Sequence, residues 1–316
     1  MKILLLDSAT LGEGLDYSDL EAFGEIISYT HTAPEEAAER IGDADVVIIN
    51  KFKITEAALE NAKSLKLICV FATGYDNVDV EACKSRGIAV CNVKGYSTHS
   101  VAQLTVLLAL SLMNRISEYT DFVTSGGYSA GNAANYLEPV YRELYGKTWG
   151  IIGAGAIGGQ VAKVAEAFGC KVIAYKRTPS EEFECVPLET LLRKSDIVSL
   201  HTPLNDGTRG LIGEKELDIM KNDAILVNVA RGAVTDEVAV AKAITEKKIG
   251  GFATDVYSVE PFPKEHPFFA IRDYKNVILT PHMAWGAIEA RKRCLDEIVM
   301  NIKSFLNGEK RNRVDL

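Results

Sequence analysis

The chain has 316 residues, of which 47% are hydrophobic and 25% are charged, a composition typical of globular proteins and a length sufficient for two domains. Its formal net charge of −8 argues against nucleic-acid binding, which requires a basic surface. No run of about 18 apolar residues occurs, so the sequence predicts no membrane span. The six cysteines lack metal-ligand spacing, so we expect reduced thiols, no bound metal and a cytoplasmic location.

The first third of the chain alternates short apolar runs with helical stretches. The apolar runs are KILLLD at the start, DVVIIN (45–50), LKLICVF (65–71) and IAVC (88–91), and PEEAAERI and TEAALENAK lie between them. Such alternation predicts parallel strands that are joined by helical crossovers.

A long apolar segment follows, STHSVAQLTVLLALSLMNRI (97–116). It is apolar on nearly all sides, so it predicts a buried helix that carries the chain from one domain to the next. The next segment, TSGGYSAGNAANYLEPVYREL (124–144), is rich in Gly, Asn and Tyr. It predicts an extended excursion outside the core.

A second block of alternating elements begins at KTWGIIG (147–153) and has six predicted strands, the last in NVILTPH. Six strands are enough for a complete doubly wound sheet. The tail, AIEARKRCLDEIVMNIKSFLNG, predicts a final amphipathic helix that ends at Gly308.

The strongest motif opens this second block. Gly153, Gly155 and Gly158 form a G-x-G-x-x-G pattern that follows a predicted strand and opens a predicted helix. The first glycine allows a tight turn, the second lets a pyrophosphate approach the backbone, and the third lets the helix pack on the strand. The alternative is a glycine-rich turn without a ligand, but the strand–helix–strand context favours a dinucleotide site.

The stretch VIAYKRTPS (172–180) lies where this pattern normally places an acidic residue that binds the adenine ribose of NAD. Here the chain has Lys176, Arg177 and Thr178. Two cations and a hydroxyl suit the 2′-phosphate of NADP(H), so we predict that NADP(H) is preferred and that NAD(H) remains possible. The alternative is a solvated basic pair on a loop.

Later strand ends carry residues suited to carbonyl reduction by hydride. Such chemistry needs a cation for the substrate, a proton donor for the alkoxide and a carboxylate that orients the donor. VNVARGAVTDE offers Arg231, TDVYSVEPFP offers Asp255 and Glu260, and LTPHMAWG offers His282. His201 also ends a strand, and position alone does not separate it from His282.

Seven segments together resemble one family over nearly the full length: FATGYDNVD, NVKGYSTHSVAQLT, GIIGAGAIG, LHTPLN, NVARGAVTDE, DVYSVEP and TPHMAW. This family is the D-isomer-specific 2-hydroxyacid dehydrogenases. YSTHSVAQ is most similar to the glycerate dehydrogenase (hydroxypyruvate reductase) group, with Gln103 in place of the Glu common elsewhere. Lys176 departs from the acidic residue of the NAD-type members.

The resemblance implies that His282 is the proton donor, that Glu260 is its partner and that Arg231 holds the substrate. It also implies that Asp255 anchors the nicotinamide carboxamide and that His201 is a cofactor-side residue. The other implied substrate-binding positions are the backbone of Thr73 and Gly74, together with Tyr96. The other implied cofactor-lining positions are Ala156, Ile157, Thr202, Pro203, Thr208, Val229 and Ala230.

The fold that the resemblance implies is α/β, with two doubly wound parallel-sheet domains and the active site in the cleft between them. The flavodoxin-like substrate domain would comprise residues 1–96 plus 283–316, and the Rossmann dinucleotide-binding domain residues 97–282. The family also implies a homodimer, joined through the long helix and the excursion after it.

The leading hypothesis is therefore an NAD(P)-dependent reductase of small 2-keto acids such as hydroxypyruvate or glyoxylate, which yields D-2-hydroxy acids. Two alternatives are a 3-phosphoglycerate dehydrogenase and a dinucleotide-sensing, corepressor-like binding protein. The presence of Arg231, Glu260 and His282 together favours an enzyme.

Overall fold

In the computed structural model, which describes residues 1–178 and 181–316, the chain forms two compact units. Unit 1 comprises Met1–Ser97 and Trp285–Leu316, and unit 2 comprises Thr98–Ala284. The first boundary differs by one residue from the predicted one, and the second by two. Both units contain a parallel sheet with helices, so the predicted α/β fold class is confirmed.

Unit 1 has a five-stranded parallel sheet in the order β2-β1-β3-β4-β5, which is the flavodoxin-like arrangement. Strands β3 and β4 are buried at every position, because helices cover both faces of such a sheet. The strands are β1 Lys2–Leu5, β2 Glu25–Ser28, β3 Val46–Ile49, β4 Leu67–Val70 and β5 Ala89–Cys91. The α-helices are α1 Ser18–Glu21, α2 Ala37–Ile41, α3 Val80–Ser85 and the final helix, Ile288–Leu306; short 3-10 helices span Ser8–Leu11, Pro34–Glu36 and Ala57–Leu59.

Unit 2 has a six-stranded parallel sheet in the order β11-β10-β9-β8-β6-β7. An additional parallel bridge between Ala174 and Cys185 extends the sheet beyond β7. The strand order reverses between β6 and β8, and ligands of such sheets bind outside the carboxyl ends of the strands at this switch point. The strands are β6 Thr148–Ile152, β7 Lys171–Tyr175, β8 Ile197–Leu200, β9 Ile225–Asn228, β10 Gly251–Thr254 and β11 Val277–Leu279.

The helices of unit 2 begin with the predicted long apolar helix, of which nine residues are buried. They are α4 Thr98–Met113, α5 Ile116–Thr124, α6 Gly127–Ala130, α7 Ala156–Ala167, α8 Leu188–Lys194, α9 Glu214–Asp218, α10 Glu237–Thr245 and α11 Pro267–Ile271, with a 3-10 helix at Gly232–Val234. The final helix of unit 1, Ile288–Leu306, is α12. No single helix in the described part of the chain is long and apolar enough to cross a membrane. Helices α4 and α5 taken together, with a bend of 65° between them, reach that length and apolar composition.

The segment predicted to be an extended excursion starts with a short helix, α6, and only its later part lacks regular structure. Gly126 adopts φ 85° and thereby allows the sharp turn from α5 into α6. The rings of Phe122 and Tyr136 stack at a centroid distance of 3.9 Å. These local contacts order a segment whose composition alone indicated a loop.

Candidate active site

The glycine-rich turn connects β6 to α7 at the switch point of the unit 2 sheet. Gly153 has φ 94°, and a Cβ at this residue would lie 2.8 Å from the backbone carbonyl of His201. A Cβ at Gly158 would lie 2.4 Å from the carbonyl oxygen of Gly153. Both positions therefore exclude any larger residue, which explains two of the three glycines of the motif by steric contact alone.

Gly155 is different, because a Cβ there would meet no atom within 4 Å. It lies at the start of α7 and supplies no side-chain cap, so the N–H groups of Ala156 and Ile157 have no partner within the helix. Open space beside Gly155, at the start of a helix whose first N–H groups have no intrahelical partner, is an environment that suits a pyrophosphate. The residues of this turn therefore fit a dinucleotide.

The basic segment follows β7 at the same edge of the sheet. Gly153 N–H donates to the carbonyl oxygen of Tyr175 at 2.9 Å, so the basic segment, which starts at Lys176, lies beside the glycine-rich turn. Lys176 is half-buried, whereas Arg177 and Thr178 are exposed. Pro179 and Ser180, which complete the YKRTPS stretch, lie outside the described residues.

The other predicted cofactor-lining residues follow β8 and β9, the next strands in the sheet. Thr208 closes the loop after β8, because its hydroxyl donates to the carbonyl oxygen of Pro203 at 2.6 Å and accepts from the N–H of Asn205 at 2.8 Å. Thr202 is half-buried. Val229 and Ala230 directly follow β9, with Ala230 N–H bound to the side chain of Asn228 at 3.0 Å.

The structure separates the two histidines that sequence position left equivalent. His201 Nε2 lies 2.9 Å from Ser199 Oγ, which also accepts a hydrogen bond from the indole N–H of the buried Trp149. Burial lowers the pKa of His201 to about 3. Its imidazole is therefore neutral near pH 7 and poorly suited to donate a proton, so the geometry favours His282.

His282 and Glu260, which are 22 residues apart, are brought together. His282 Nδ1 lies 2.5 Å from Glu260 Oε2, and the other carboxylate oxygen accepts from the N–H of Tyr257 at 2.9 Å. A carboxylate that binds Nδ1 fixes the tautomer and the orientation of the ring, so Nε2 is the nitrogen that can transfer a proton to a ligand. The pair thus has the arrangement of a proton donor with its orienting carboxylate.

The backbone of His282 has φ 53°, which is uncommon for a residue other than glycine. Asp255, whose exposure is only 1%, accepts hydrogen bonds from Thr280 Oγ1 at 2.6 Å and from the N–H groups of Met283 and Ala284 at 2.9 and 2.8 Å. These contacts on either side of His282 hold the turn. The chain itself therefore uses three of roughly four acceptor positions of the Asp255 carboxylate. Sequence reasoning did not predict that Asp255 holds the turn around His282.

Arg231 follows β9 and is half-buried. Its Nη1 donates to the carbonyl oxygen of Ala230 at 2.8 Å. The fully buried Asn228 stabilises the same turn, because its side-chain amide donates to the carbonyl oxygen of Arg231 at 3.0 Å. Sequence reasoning did not identify Asn228, although a buried polar residue at a strand end is a signal of such a turn.

The predicted substrate residues of unit 1 follow β4 and β5. The hydroxyl of Thr73 donates to the carbonyl oxygen of Val93 at 2.7 Å, and Asn92 Nδ2 donates to the carbonyl oxygen of Thr73 at 2.7 Å. These bonds fix the turn whose backbone includes Gly74. Tyr96 is buried, and its ring packs edge-on against Trp285 at a centroid distance of 6.5 Å.

Comparison with known proteins decides the family. The family model described as D-isomer specific 2-hydroxyacid dehydrogenase, NAD binding domain, matches residues 106–284. The chain belongs to this family. The resemblance predicted from the sequence motifs is therefore confirmed, and the protein is a D-2-hydroxyacid dehydrogenase that uses a nicotinamide dinucleotide cofactor.

Relatives of this dehydrogenase match it along nearly its whole length. It is 38% identical over 310 residues to the glycerate dehydrogenase of Methylorubrum extorquens, and the alignment covers 95% of this chain and 98% of the relative. It is 37% identical over 324 aligned positions to the hydroxypyruvate reductase of Blautia hydrogenotrophica, covering 100% of both chains. These relatives support 2-keto acid reduction as the activity of the dehydrogenase.

Solved structures share the fold of both units of the dehydrogenase. An acyclic imino acid reductase, Bsp5, in complex with NADPH and D-Arg has a TM-score of 0.88 at 30% identity, and covers 99% of this chain and 100% of that one. The D-lactate dehydrogenase of Aquifex aeolicus, in complex with NAD and lactic acid, has a TM-score of 0.87 at 29% identity, with coverage of 100% and 99%. Similar folds thus bind either NADPH or NAD.

Proposed function

We propose that this dehydrogenase reduces hydroxypyruvate and glyoxylate to the corresponding 2-hydroxy acids with NAD(P)H, and D-glycerate is the product from hydroxypyruvate. The observation that carries the proposal is the 2.5 Å contact between His282 Nδ1 and Glu260 Oε2. The names of relatives support the substrate class, since they include a glycerate dehydrogenase, a hydroxypyruvate reductase and a glyoxylate reductase.

In this proposal the bound nicotinamide supplies the hydride, and the side chains supply the proton and the positive charge. Protonated His282 donates from Nε2 to the oxygen of the substrate carbonyl as that oxygen gains negative charge. Glu260 stabilises the imidazolium before the transfer. Arg231 binds the substrate carboxylate and polarises the carbonyl, because its planar guanidinium offers several donors in fixed directions.

We propose that unit 1 contributes further substrate contacts and that unit 2 binds the dinucleotide. In unit 1 the backbone N–H groups of Thr73 and Gly74 would bind the carboxylate, and Tyr96 would shape the pocket. In unit 2 Asp255 would use its remaining acceptor position for the nicotinamide carboxamide. The residues proposed to line the rest of the dinucleotide are Gly153, Gly155, Ala156, Ile157, Gly158, Lys176, Arg177, Thr178, Thr202, Pro203, Thr208, Val229 and Ala230.

We further propose a homodimer formed through α4 and the segment after it. Large apolar side chains of this region are exposed, with Leu137 at 64% and Val140 at 77%, and such clusters mark interaction surfaces. The six cysteines are free thiols, which supports a reducing compartment such as the cytoplasm.

A panel of 2-keto acids, each assayed with NADH and NADPH, tests the substrate class. We expect hydroxypyruvate and glyoxylate to be reduced with kcat/KM values in the common range of about 10⁴–10⁸ M⁻¹s⁻¹. The chain is also 39% identical over 298 residues to the D-3-phosphoglycerate dehydrogenase of Methanocaldococcus jannaschii, so oxidation of 3-phosphoglycerate belongs in the panel. Faster turnover of that substrate would reject the proposal, and cofactor binding without any turnover would favour a dinucleotide sensor.

We expect NADPH to be preferred over NADH by about tenfold to a hundredfold, since two charge contacts that are screened by solvent contribute roughly 1 kcal/mol each. The basic segment after β7 carries this expectation. Lys176→Asp should reverse the preference, because a carboxylate binds the ribose hydroxyls of NADH and repels the 2′-phosphate of NADPH. The measurement is kcat/KM with each cofactor in both proteins.

Lys163→Asp is the matched control, because Lys163 is an exposed lysine on α7. This control should keep the wild-type cofactor ratio. A wild-type enzyme that prefers NADH, or a Lys176→Asp variant whose ratio is unmoved, would show that the basic segment does not select the cofactor.

A further inference from the structure

A hydrogen-bond cluster with two largely buried side chains, Glu237 and His266, lies beside the loop that carries Glu260, and none of the roles above uses it. At its centre the Glu237 carboxylate accepts from the Ser258 N–H at 2.8 Å, from the Ser258 hydroxyl and from His266 Nε2 at 2.9 Å. Only 9% of the Glu237 side chain and 5% of the His266 side chain is exposed. A buried carboxylate needs such donors, because an unpaired buried charge is strongly unfavourable.

The second contact of His266 defines its tautomer. The N–H of Phe268 donates to His266 Nδ1 at 3.2 Å, where the ring caps the start of α11. Nδ1 is therefore an acceptor, and the proton of a neutral ring is on Nε2, which faces Glu237. The His266 ring thus donates to Glu237 Oε2 and fixes the position of this oxygen.

The cluster holds the peptide between Tyr257 and Ser258, and this peptide leads directly to the proposed proton-transfer pair. The Tyr257 N–H donates to Glu260 Oε1, and the next N–H, that of Ser258, is the one bound by the cluster. The same peptide packs on Gly232, where a Cβ would lie 2.0 Å from the Tyr257 carbonyl carbon. The peptide is therefore confined between the cluster and the residue that follows Arg231.

We propose that Glu237 is a positioning residue, which sets the place of the Glu260 carboxylate by holding the Tyr257–Ser258 peptide. The inference rests on the proposed function, because it takes Glu260 and His282 as the proton-transfer pair. Catalytic groups must be held within about 0.5 Å of their productive geometry. When Glu237 no longer holds the peptide, Glu260 shifts and the ring of His282 loses its orientation.

Glu237→Gln tests this role with little change in side-chain size. The new amide presents either an N–H group toward the His266 Nε2–H or one toward the Ser258 N–H, so at least one hydrogen bond is lost. We expect kcat for hydroxypyruvate to fall about tenfold, since small misplacements of reacting groups have effects of this order. The KM for NADPH should change by less than about twofold, because the dinucleotide contacts are untouched.

A double-mutant cycle with Glu260→Gln distinguishes positioning from a general loss of structure. We expect Glu260→Gln alone to lower kcat about 100-fold. If Glu237 acts through Glu260, the double variant should fall no further than that. Independent losses would multiply to about 1000-fold and would overturn the inference, as would an unchanged kcat in Glu237→Gln.

Glu246→Gln is the matched control, because Glu246 is an exposed carboxylate at the end of the same helix; it should keep the wild-type kcat. Thermal unfolding reports whether each variant folds. If Glu237→Gln does not fold, Ser258→Ala takes its place in the cycle, since it removes only the hydroxyl donor. An unchanged kcat in Glu260→Gln would reject the proposed proton-transfer pair and, with it, the inference. If Glu260→Gln lowers kcat as expected but the Glu237 and Ser258 variants keep the wild-type kcat, only the inference is rejected.

Discussion

His282→Ala should lower kcat for hydroxypyruvate by about 10²–10⁴, the usual contribution of a positioned general acid. In the proposed mechanism alanine would leave the substrate oxygen without its proton donor, and water would not replace an imidazole ring that Glu260 orients at 2.5 Å. The dissociation constant of NADPH should stay nearly constant, because the glycine-rich turn is unaltered. Steady-state kinetics and a fluorescence titration with NADPH measure the two quantities.

The side chain of His31 is exposed and distant in sequence from the site, so His31→Ala is the control and should keep the wild-type kcat. His201→Ala adds a second comparison. Because His201 is held by Ser199 and its burial lowers its pKa to about 3, we expect that variant to lose stability more than proton transfer. A His282→Ala enzyme that keeps most of its turnover would contradict the assignment.

The dinucleotide turn could be predicted from the sequence because its requirements are local. Gly153 and Gly158 are fixed by contacts with backbone atoms of the same turn or of the neighbouring strand, and any chain that makes this turn meets the same steric limits. The parallel sheets could be predicted for a similar reason, since alternating apolar runs and helices leave few other topologies.

The environment of the predicted proton donor could not be read from the sequence. His201 and His282 both follow strands, and only the partly buried contact of His201 with Ser199 and the carboxylate on Nδ1 of His282 distinguish them. The contacts of Asp255 with the turn around His282 bridge 25 to 29 residues of sequence. Such contacts depend on how neighbouring strand ends meet, and no spacing rule encodes them.

The contacts of Glu237 could not be predicted from the sequence either. Glu237 directly follows Asp236, the N-cap of α10, whose side chain accepts from two N–H groups of the helix. In the sequence the pair DE is typical of a helix start, where acidic residues interact favourably with the helix dipole. Only the fold reveals that the second carboxylate turns to the loop with Ser258 instead.

Arg231→Lys should lower kcat/KM for hydroxypyruvate by about 10²–10³, similar to the loss of a donor that stabilises a developing oxyanion. The guanidinium donates to the carbonyl oxygen of Ala230 at 2.8 Å, and in the proposed function its planar set of N–H groups binds the substrate carboxylate in a bidentate manner. An ammonium group is a single point charge on a flexible stem and cannot reproduce that planar arrangement. We therefore expect KM to rise and kcat to fall together, since the cation acts in both the ground state and the transition state.

Arg193→Lys is the matched control, because Arg193 is exposed on α8 and pairs with Glu189 one turn away, an interaction that lysine can replace. This variant should keep wild-type KM and kcat. Arg231→Lys should also keep its affinity for NADPH, which separates loss of substrate contacts from disruption of the turn after β9. If KM for hydroxypyruvate is unaltered in Arg231→Lys, the side chain does not bind the substrate carboxylate, and the backbone N–H groups of Thr73 and Gly74 become the main candidates for that contact.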